Sequence, residues 1–248
     1  YALTYVANNL DITAAPLTIT ANDDTRVYGA ANPTFTASYT GFVNGDTAAS
    51  LTTPVILGTT AVPTSPVGTY PITATGATSS NYTITHVDGT LTVTIAPLTV
   101  TADPQTKVYG TLDPVLTYQI TTGALASGDS LVGTLDRVAG ETVGLYAIGQ
   151  GTLSAGANYA LTYVANNLDI TAAPLTVTAD PQTKVYGTLD PTFTYSVTAG
   201  TLQPGDSLTG TLDRALGENV GLYAIGQGTL SAGSNYTLTY VGDNLTIT

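Results

Sequence analysis

The sequence predicts an all-β protein, built as a tandem array of small antiparallel β-sandwich repeats of the immunoglobulin-like kind that together form an elongated rod. Three observations predict this class. Long strings of residues recur along the chain, short segments alternate apolar residues with Thr or Ser between turn residues, and no segment repeats its apolar residues with the 3.6-residue period of a helix.

The repeats set the domain boundaries. The string APLTVTADPQTKVYGTLDP occupies residues 96–114 and again 173–191, and a diverged copy, APLTITANDDTRVYGAANP, occupies 15–33. The copies predict three units, at residues 14–95, 96–172 and 173–248. The first unit is longer, and its extra length falls between Asp46 and Gly68, as is typical of a surface loop. The first thirteen residues, YALTYVANNLDIT, recur unchanged at 159–171, so we interpret residues 1–13 as the terminal hairpin of a preceding repeat.

Period-two alternation predicts the strands of each unit. In the last unit it marks 174–179, 192–197 and 238–241, and the turn residues after Val241 predict a hairpin with the final run, LTIT. With the remaining segments, about six or seven strands per unit are expected, as in a two-layer sandwich.

Two further local features are predicted in the last unit. Residues 221–230 form a long strand with a bulge marked by Gly226 and Gly228, and one helical turn follows the Gly-Asp at 205–206, capped by Asp206 or Ser207.

The segments between units are short and contain Pro16, Pro97 and Pro174, so neighbouring units can swing little. Each unit would add about 30–40 Å to a stiff rod if its strands lay along the axis.

Composition excludes several functions. With 17 acidic and 5 basic residues the net charge is −12, which disfavours nucleic acid and anionic membrane surfaces as partners. No apolar run reaches the roughly 18–20 residues that span a bilayer, so no membrane insertion is expected in this segment. The chain has no Cys, which excludes disulfides and thiolate metal sites. No export signal opens the sequence, and we interpret the chain as an excerpt of a longer protein.

A motif recurs in every unit: V-Y-G-x-x-x-P, then Gly-Asp, then G-x-Y and a final N-Y-x-(I/L)-T-x-V segment. Its first part comprises Val27, Tyr28, Gly29 and Pro33; Val108, Tyr109, Gly110 and Pro114; and Val185, Tyr186, Gly187 and Pro191. This pattern resembles the MBG domain (mostly β, glycine-rich; YDG or YGX type), which occurs in tandem in large bacterial surface adhesins, including haemagglutinin-like proteins exported by two-partner secretion.

The resemblance implies a non-enzymatic stalk or spacer of a secreted or cell-surface adhesin, extracellular, projecting a distal binding domain in adhesion or biofilm formation. It implies no catalytic, cofactor-binding or metal-binding residue. The expected partners are other repeats of the same chain, with extracellular polysaccharide or neighbouring adhesin molecules as further candidates. The alternative is a repeated array that binds polysaccharide or a host ligand weakly and gains strength by avidity. The sequence departs from the family at Ala30, Thr111 and Thr188, where an acidic residue is frequent, and the first unit lacks the LDR element of the others.

Few residues are candidates for chemistry. His86 is the only histidine and replaces Tyr163 and Tyr240, so we expect an ordinary residue of the sheet surface and no histidine-based triad. Paired carboxylates could hydrolyse glycans, and the candidates are Asp129, Asp136 and Glu141, with Asp206, Asp213 and Glu218 one unit later. Arg137 and Arg214 follow two of these Asp residues directly and are predicted to pair with them, which makes an enzyme the weakest hypothesis.

Calcium is a weak possibility at Asp-containing turns or junctions, because extracellular modules bind it with carboxylates and carbonyls. The candidates are Asn22, Asp23, Asp24, Asp46, Asp103, Asp129, Asp180 and Asp206. No calcium-loop pattern is present, and single Asp residues in turns usually serve the turn itself, so no cofactor is expected.

Lysine and tyrosine recur at fixed positions. Lys107 and Lys184 could form Lys–Asn crosslinks, but Arg26 stands at their position in the first unit, so we expect packing of the stem or pairing with a local Asp. Repeated tyrosines could stack on sugars, but we expect them to pack at core edges with bonded hydroxyls. Examples are Tyr109, Tyr146, Tyr159 and Tyr163.

Overall fold

A computed structural model describes residues 1–248 and builds each of the three repeats from seven β-strands. Repeat 1 contains β1 (Ala15–Ala21), β2 (Asp24–Val27), β3 (Ala37–Thr40), β4 (Ile56–Gly58), β5 (Gly68–Thr75), β6 (Tyr82–Val87) and β7 (Gly89–Thr94). Repeat 2 contains β8 (Ala96–Ala102), β9 (Gln105–Val108), β10 (Tyr118–Thr122), β11 (Asp136–Arg137), β12 (Gly144–Gly149), β13 (Tyr159–Val164) and β14 (Asn166–Thr171). Repeat 3 contains β15 (Ala173–Ala179), β16 (Gln182–Lys184), β17 (Tyr195–Ala199), β18 (Asp213–Arg214), β19 (Gly221–Gly226), β20 (Tyr236–Val241) and β21 (Asp243–Ile247). The all-β class and the tandem repeats are confirmed.

Every repeat has one three-stranded and one four-stranded sheet. In repeat 1 the orders are β3-β1-β6 and β2-β7-β5-β4, and the other repeats reproduce them as β10-β8-β13 with β11-β12-β14-β9 and as β17-β15-β20 with β16-β21-β19-β18. The first strand is central in the smaller sheet. Its alternating sequence places Leu17 and Ile19 in the core, with 1% and 0% of their surfaces exposed.

The prediction of antiparallel sheets was wrong in part, because every repeat also contains parallel strand pairs. β1 runs parallel to β6, with Leu17 opposite Ile84, and β2 runs parallel to β7, with Arg26 opposite Val93. Repeat 3 has the same two parallel pairs, β15 with β20 and β16 with β21. Alternation shows which face of a strand is buried, but it does not show the direction of the neighbouring strand.

The predicted terminal hairpin was also wrong. A single residue, Gly242, separates β20 from β21, which is too short for a two-residue hairpin loop, and the two strands belong to different sheets. Residues 159–171 likewise fall on β13 and β14 in different sheets, so their identical copy at 1–13 does not represent a hairpin. Residues 1–13 form no strand and are exposed; their assignment to a preceding repeat stays a prediction.

Three local expectations need correction. β17 begins at Tyr195, later than predicted. β19 ends at Gly226, and the expected bulge is a turn in which Gly228 has φ +58°, where a Cβ would lie 2.4 Å from the Thr211 carbonyl oxygen. Residues 205–208 form no helix; the one 3-10 turn is Ala48–Ser50 in repeat 1, where the Thr47 side chain caps it.

The chain divides into two compact units that do not coincide with the repeats. One comprises Tyr1–Val100, Ile120–Val132 and Ser154–Thr162, and the other comprises Thr101–Gln119, Gly133–Leu153 and Tyr163–Thr248. Repeat 2 therefore contributes residues to both. The structure has no helix of the length and apolarity that crossing a membrane requires.

Candidate functional site: the repeat junctions

The side chain of the V-Y-G tyrosine in repeat 1 contacts residues of repeat 2, and this contact lies within the first compact unit. Tyr28 follows β2 directly, and its backbone N–H donates to the carbonyl of Thr94 at 2.8 Å, which ties the start of the turn to the end of β7. Its side chain is buried, with 6% of the residue surface exposed. The hydroxyl donates to Oδ2 of Asp129 at 2.8 Å.

Asp129 lies in the Gly-Asp turn of repeat 2 and accepts a second tyrosine hydroxyl. Tyr159, the first residue of β13, donates to the same Oδ2 at 2.7 Å, and its oxygen accepts the Ala126 N–H at 2.7 Å. The rings of Tyr28 and Tyr159 meet edge to face, 5.4 Å apart at 85°. One carboxylate therefore joins a tyrosine from each repeat, and the rings add a favourable aromatic contact.

A second polar contact accompanies the tyrosine pair. The backbone N–H of Val67, just before β5, donates to Oδ1 of Asn158 at 3.1 Å. Asn158 directly precedes Tyr159, so the Asn-Tyr pair of the final motif binds two different parts of the neighbouring repeat.

The second junction, between repeats 2 and 3, lies in the second compact unit and repeats this geometry. Tyr109 and Tyr236 both donate to Oδ2 of Asp206, at 2.8 and 2.6 Å, and their rings are 5.4 Å apart at 82°. The Val143 N–H donates to Oδ1 of Asn235 at 3.1 Å. Two independent copies of the contact thus agree closely in every distance.

The glycine of V-Y-G serves both the turn and the close approach of the repeats. Gly29 and Gly110 have φ of +83° and +82°, a left-handed conformation that glycine adopts without strain. A Cβ on Gly29 would lie 3.3 Å from the Cβ of Ala126 in repeat 2, and one on Gly110 would lie 2.3 Å from Nε2 of Gln203 in repeat 3. A larger residue at Gly110 would therefore have to displace the Gln203 side chain, and one at Gly29 would crowd Ala126.

The hydrogen bonds shift the ionisation of the groups that make them. The bond from Tyr159, and after it the bond from Tyr28, lowers the pKa of Asp129. The bond to Asp129, followed by burial, raises the pKa of Tyr28. At neutral pH the carboxylate is therefore ionised and both phenols are protonated, which is the state in which these hydrogen bonds form.

A cluster of four charged residues lies beside the V-Y-G turn of repeat 2. Nζ of Lys107, a buried residue of β9, is 2.6 Å from Asp113 and 2.5 Å from Glu141, and Nε of Arg137 is 2.6 Å from Asp113. Arg137 also contacts Glu141 and lies over the ring of Tyr146, 5.6 Å from its centre. The hydrogen bonds from Arg137 and then Lys107 lower the pKa of Asp113 to about 2.

Repeat 3 has the same cluster, but in repeat 1 a single cation, Arg26, is bound by neutral oxygen acceptors. Lys184 and Arg214 bind Asp190 and Glu218. In repeat 1, Nε of the buried Arg26 donates to Oδ1 of Asn32 at 2.8 Å, and its Nη2 donates to the Val62 carbonyl at 2.5 Å. Val62 lies in the longer segment after Asp46, so this segment supplies carbonyls where repeats 2 and 3 supply carboxylates.

These contacts correct the expected salt bridges. Arg137 and Arg214 do not pair with the preceding Asp136 and Asp213; their partners are Asp113 and Asp190 with the nearby Glu. Asp136 and Asp213 instead lie against Gly149 and Gly226, where an added Cβ would be 2.3 Å from the carboxylate. Of the proposed acid–base residues, Asp129 and Asp206 bind tyrosines and Glu141 and Glu218 bind cations, so each is held by a different structural partner.

The expected pairing of the lysines with a local Asp is confirmed, since Asp113 and Asp190 bind them. Core-edge tyrosines with bonded hydroxyls are also confirmed: Tyr146 donates to the Thr142 carbonyl at 2.8 Å, and Tyr163 to the Ile148 carbonyl at 2.9 Å. His86 is exposed on β6, as predicted, whereas its counterparts Tyr163 and Tyr240 are half-buried.

The residues considered for calcium form hydrogen bonds with groups of the protein. Asp23 accepts the Thr90 N–H at 2.7 Å, Asp24 the Thr25 N–H at 2.7 Å, and Asp180 the Ser196 hydroxyl at 3.1 Å. Asn22 bonds to Thr36 and Ser38, Asp103 accepts from Gln119, and Asp46 accepts the Tyr82 hydroxyl. The structure brings no three acidic or histidine side chains together in a group that could hold a metal.

The contact between repeats is the functional feature that sequence reasoning missed. A usable signal is present: V-Y-G, Gly-Asp and Asn-Tyr occur together in every unit, and the structure joins the first to the other two across each junction.

Comparison with known families agrees with this architecture. The model of the MBG domain (YGX type) matches three times in tandem, over residues 17–92, 98–169 and 175–246. No curated protein matches the chain. The three matches cover most of the sequence. The tyrosine and glycine of the V-Y-G motif lie at the contacts between successive repeats. The chain therefore belongs to the MBG domain family of the YGX type and consists of three tandem domains of that family.

Proposed function

We propose that the chain is a structural stalk segment of a secreted or cell-surface bacterial adhesin, where it projects a distal binding domain in adhesion or biofilm formation. The observation that supports this most is the pair of near-identical junctions, in which Asp129 and Asp206 each bind tyrosines from two successive repeats. Residues that recur in every repeat are used to hold repeats together, as a spacer requires. The family is a non-catalytic structural one and is consistent with a repeat region of a surface protein.

The connectors support the same proposal. One residue, Ile95, separates the last strand of repeat 1 from the first strand of repeat 2, and one residue, Ala172, does so at the next junction. A connector this short leaves little freedom for bending. With the tyrosine contact added, each repeat is held to the next by both a covalent and a non-covalent restraint.

The alternative, an array that binds glycans, receives less support from the tyrosines. Sugar stacking needs exposed rings at the same site in each repeat, but Tyr28, Tyr159 and Tyr236 are buried, with 6%, 6% and 7% of their surfaces exposed. These three rings therefore face a neighbouring repeat and not solvent, whereas Tyr186 of repeat 3 is 61% exposed.

Small-angle X-ray scattering tests the stalk proposal. A compact globule of 248 residues would have a radius of gyration of about 18 Å. Three units of about 30–40 Å placed end to end would give about 30 Å. We expect the larger value, and a value near that of the globule would contradict a stalk. Glycan-array binding that Tyr→Ala at a repeated site abolishes would favour the alternative.

A further inference from the structure

The two junctions contain the only tyrosines of the structure whose rings contact each other. Four pairs of aromatic rings pack together, and the two pairs outside the junctions both include Phe42. Each junction pair takes one tyrosine from each repeat, and both hydroxyls donate to one carboxylate oxygen at 2.6 to 2.8 Å. Because the two hydroxyls bind the same atom, the hydroxyl ends of the two rings converge.

The shared carboxylate is a proton acceptor for both phenols. A phenol that loses an electron becomes a strong acid, and a base within hydrogen-bond reach takes its proton. Asp129 serves Tyr28 and Tyr159 in this way. The product is a neutral tyrosyl radical, whose unpaired electron lies partly on the two Cε carbons beside the hydroxyl-bearing carbon. These carbons belong to the converging ends of the rings.

The composition of the chain directs oxidation to tyrosine. Cys and Met are the side chains that oxidants usually attack first, and the chain has neither; it also has no Trp. It has 16 Tyr. Electrons removed from this protein by a one-electron oxidant therefore come mainly from phenols.

The second junction is open to a small molecule. Tyr109 is half-buried and lines an open cavity of about 280 Å³ together with Gly110 and Gln203. In the first junction both Tyr28 and Tyr159 are buried, with 6% of their surfaces exposed. A small oxidant can therefore approach Tyr109 directly, whereas electrons from the first pair must pass through the protein.

We propose that the tyrosine pairs at the repeat junctions are sites of oxidative crosslinking, at which a small one-electron oxidant joins Tyr28 to Tyr159 and Tyr109 to Tyr236 as dityrosine. Each phenol gives one electron to the oxidant and one proton to the shared carboxylate, which passes it to water. A carbon–carbon bond then forms between one Cε of each ring. The hydrogens on the joined carbons move to the phenol oxygens, so each pair loses two electrons and two protons in total.

The crosslink replaces a reversible contact with a covalent one between successive repeats. Tyr28 and Tyr159 are far apart in sequence, so the link would keep the junction closed even where the repeats around it unfold. The inference depends only on contacts inside the two junctions, and it stands whether or not the chain is a stalk.

Photo-oxidation of the whole chain in dilute solution tests the proposal. Illuminated ruthenium tris(bipyridine) supplies the one-electron oxidant, and each persulfate ion takes up two electrons to become two sulfate ions, as one link requires. Mass spectrometry of proteolytic peptides should find the two junction pairs joined, with the mass of two hydrogen atoms lost per link. The link between Tyr109 and Tyr236 should form first. Its yield should not change on dilution, whereas links between chains through the fully exposed Tyr5 should decrease.

Variants at one junction leave the other junction as an internal control. Tyr28→Phe should abolish the first link and leave the second unchanged. Asp206→Asn keeps the shape of the side chain but removes the base, so it should lower the yield of the second link several-fold and leave the first unchanged. Circular dichroism spectra that match the parent chain verify that both variants fold.

Oxidation in concentrated urea shows whether the folded contact is needed. The unfolded chain has the same tyrosines without their pairing, so both junction links should fall to the level of other tyrosine pairs. Three results would each overturn the proposal: oxidation that links exposed tyrosines but neither junction pair, junction links that form equally well in urea, or a second link that Asp206→Asn leaves unchanged.

Discussion

The smallest group on which the contact between repeats depends is a tyrosine hydroxyl. In each junction it donates to a carboxylate that also accepts a hydrogen bond from a second tyrosine. The carboxylate therefore binds one tyrosine from each of the two repeats. A hydrogen bond to a charged group is worth about 1.5–3 kcal/mol. The chain also contains a natural control, because Tyr186 has the same sequence neighbours and no partner.

This comparison gives a first prediction. Tyr28→Phe should lower the free energy of unfolding of the first compact unit by about 1 kcal/mol, since Asp129 loses the hydrogen bond from the buried Tyr28. Tyr186→Phe should change the stability by no more than about 0.5 kcal/mol. Urea denaturation, with hydrogen exchange followed on residues 120–132, measures both. Equal effects of the two substitutions would show that the junction bond contributes nothing.

A second prediction concerns acid. Asp113 and Asp190 have pKa values of about 2, below the ordinary 3.8. As the pH falls, these carboxylates are therefore protonated in the unfolded chain before they are protonated in the folded chain. The stability contributed by the two carboxylates is complete above about pH 4 and is lost as the pH falls through about 2.

Repeat 1 has Asn32 at this position and should lose less stability over the same range. Amide NMR signals of β9 and β16, compared with those of β2 from pH 5 to pH 2, measure the difference. The variant Asp113→Asn should remove much of the pH dependence of repeat 2. A uniform loss of signals in all three repeats would contradict this explanation.

Among the elements, the single-residue connectors determine which contacts the repeats can make. Ile95 joins β7 to β8, and this short link keeps Tyr28 close to Asp129. A longer link would lower the effective concentration of one surface at the other.

We therefore predict that inserting Gly-Gly-Ser after Ile95 weakens the junction while both repeats stay folded. The Val67 amide, which donates to Asn158, should exchange with solvent faster in NMR measurements, because its acceptor is displaced. The same insertion after Leu189, an exposed residue of repeat 3, serves as the control. Unchanged exchange at Val67 would show that the connector does not hold the contact.

The strands themselves could be predicted from the sequence, because the alternation of apolar residues matches the alternation of buried residues. In APLTVTA of β8 and β15, the apolar residues at every second position are the buried ones. Strand partners were not accessible: alternation describes the faces of a strand, whereas pairing depends on which sheet a connector as short as Gly242 leads into.

The junction could not be derived from sequence for a different reason. Tyr28 has an equivalent aspartate in its own repeat, Asp46, and another in the next repeat, Asp129. Because Asp46 and Asp129 stand in equivalent sequence positions, the sequence does not distinguish them as partners. Only the three-dimensional arrangement shows that the tyrosine donates to Asp129.

At the scale of the whole molecule, stability is expected to come from the polypeptide alone. The acidic side chains of the turns already accept protein hydrogen bonds, and no three of them converge. A metal that bound only the folded state would raise the melting temperature in proportion to its concentration and affinity.

We predict that a chelator leaves the melting temperature of the chain unchanged and that millimolar calcium raises it by less than about 1 °C, since about 1 kcal/mol corresponds to several degrees in small domains. Calorimetry with and without each additive measures this, with magnesium as the control for ionic strength. A rise of several degrees with calcium alone would establish a metal site in the array.

The parallel pairs of each repeat have a consequence for tension. A pull on the ends of repeat 1 draws β1 toward the N-terminus and β7 toward the C-terminus, and β1 is paired with β6 while β7 is paired with β2, both in parallel. Parallel strands pulled from opposite ends slide lengthwise, so the hydrogen bonds across each pair are strained together and do not open one after another. Stretched in single-molecule force spectroscopy, the array should resist and then give way one repeat at a time in abrupt steps; a smooth extension without force peaks would contradict this. The strand order thus loads the hydrogen bonds of both parallel pairs in shear when the ends of a repeat are pulled apart.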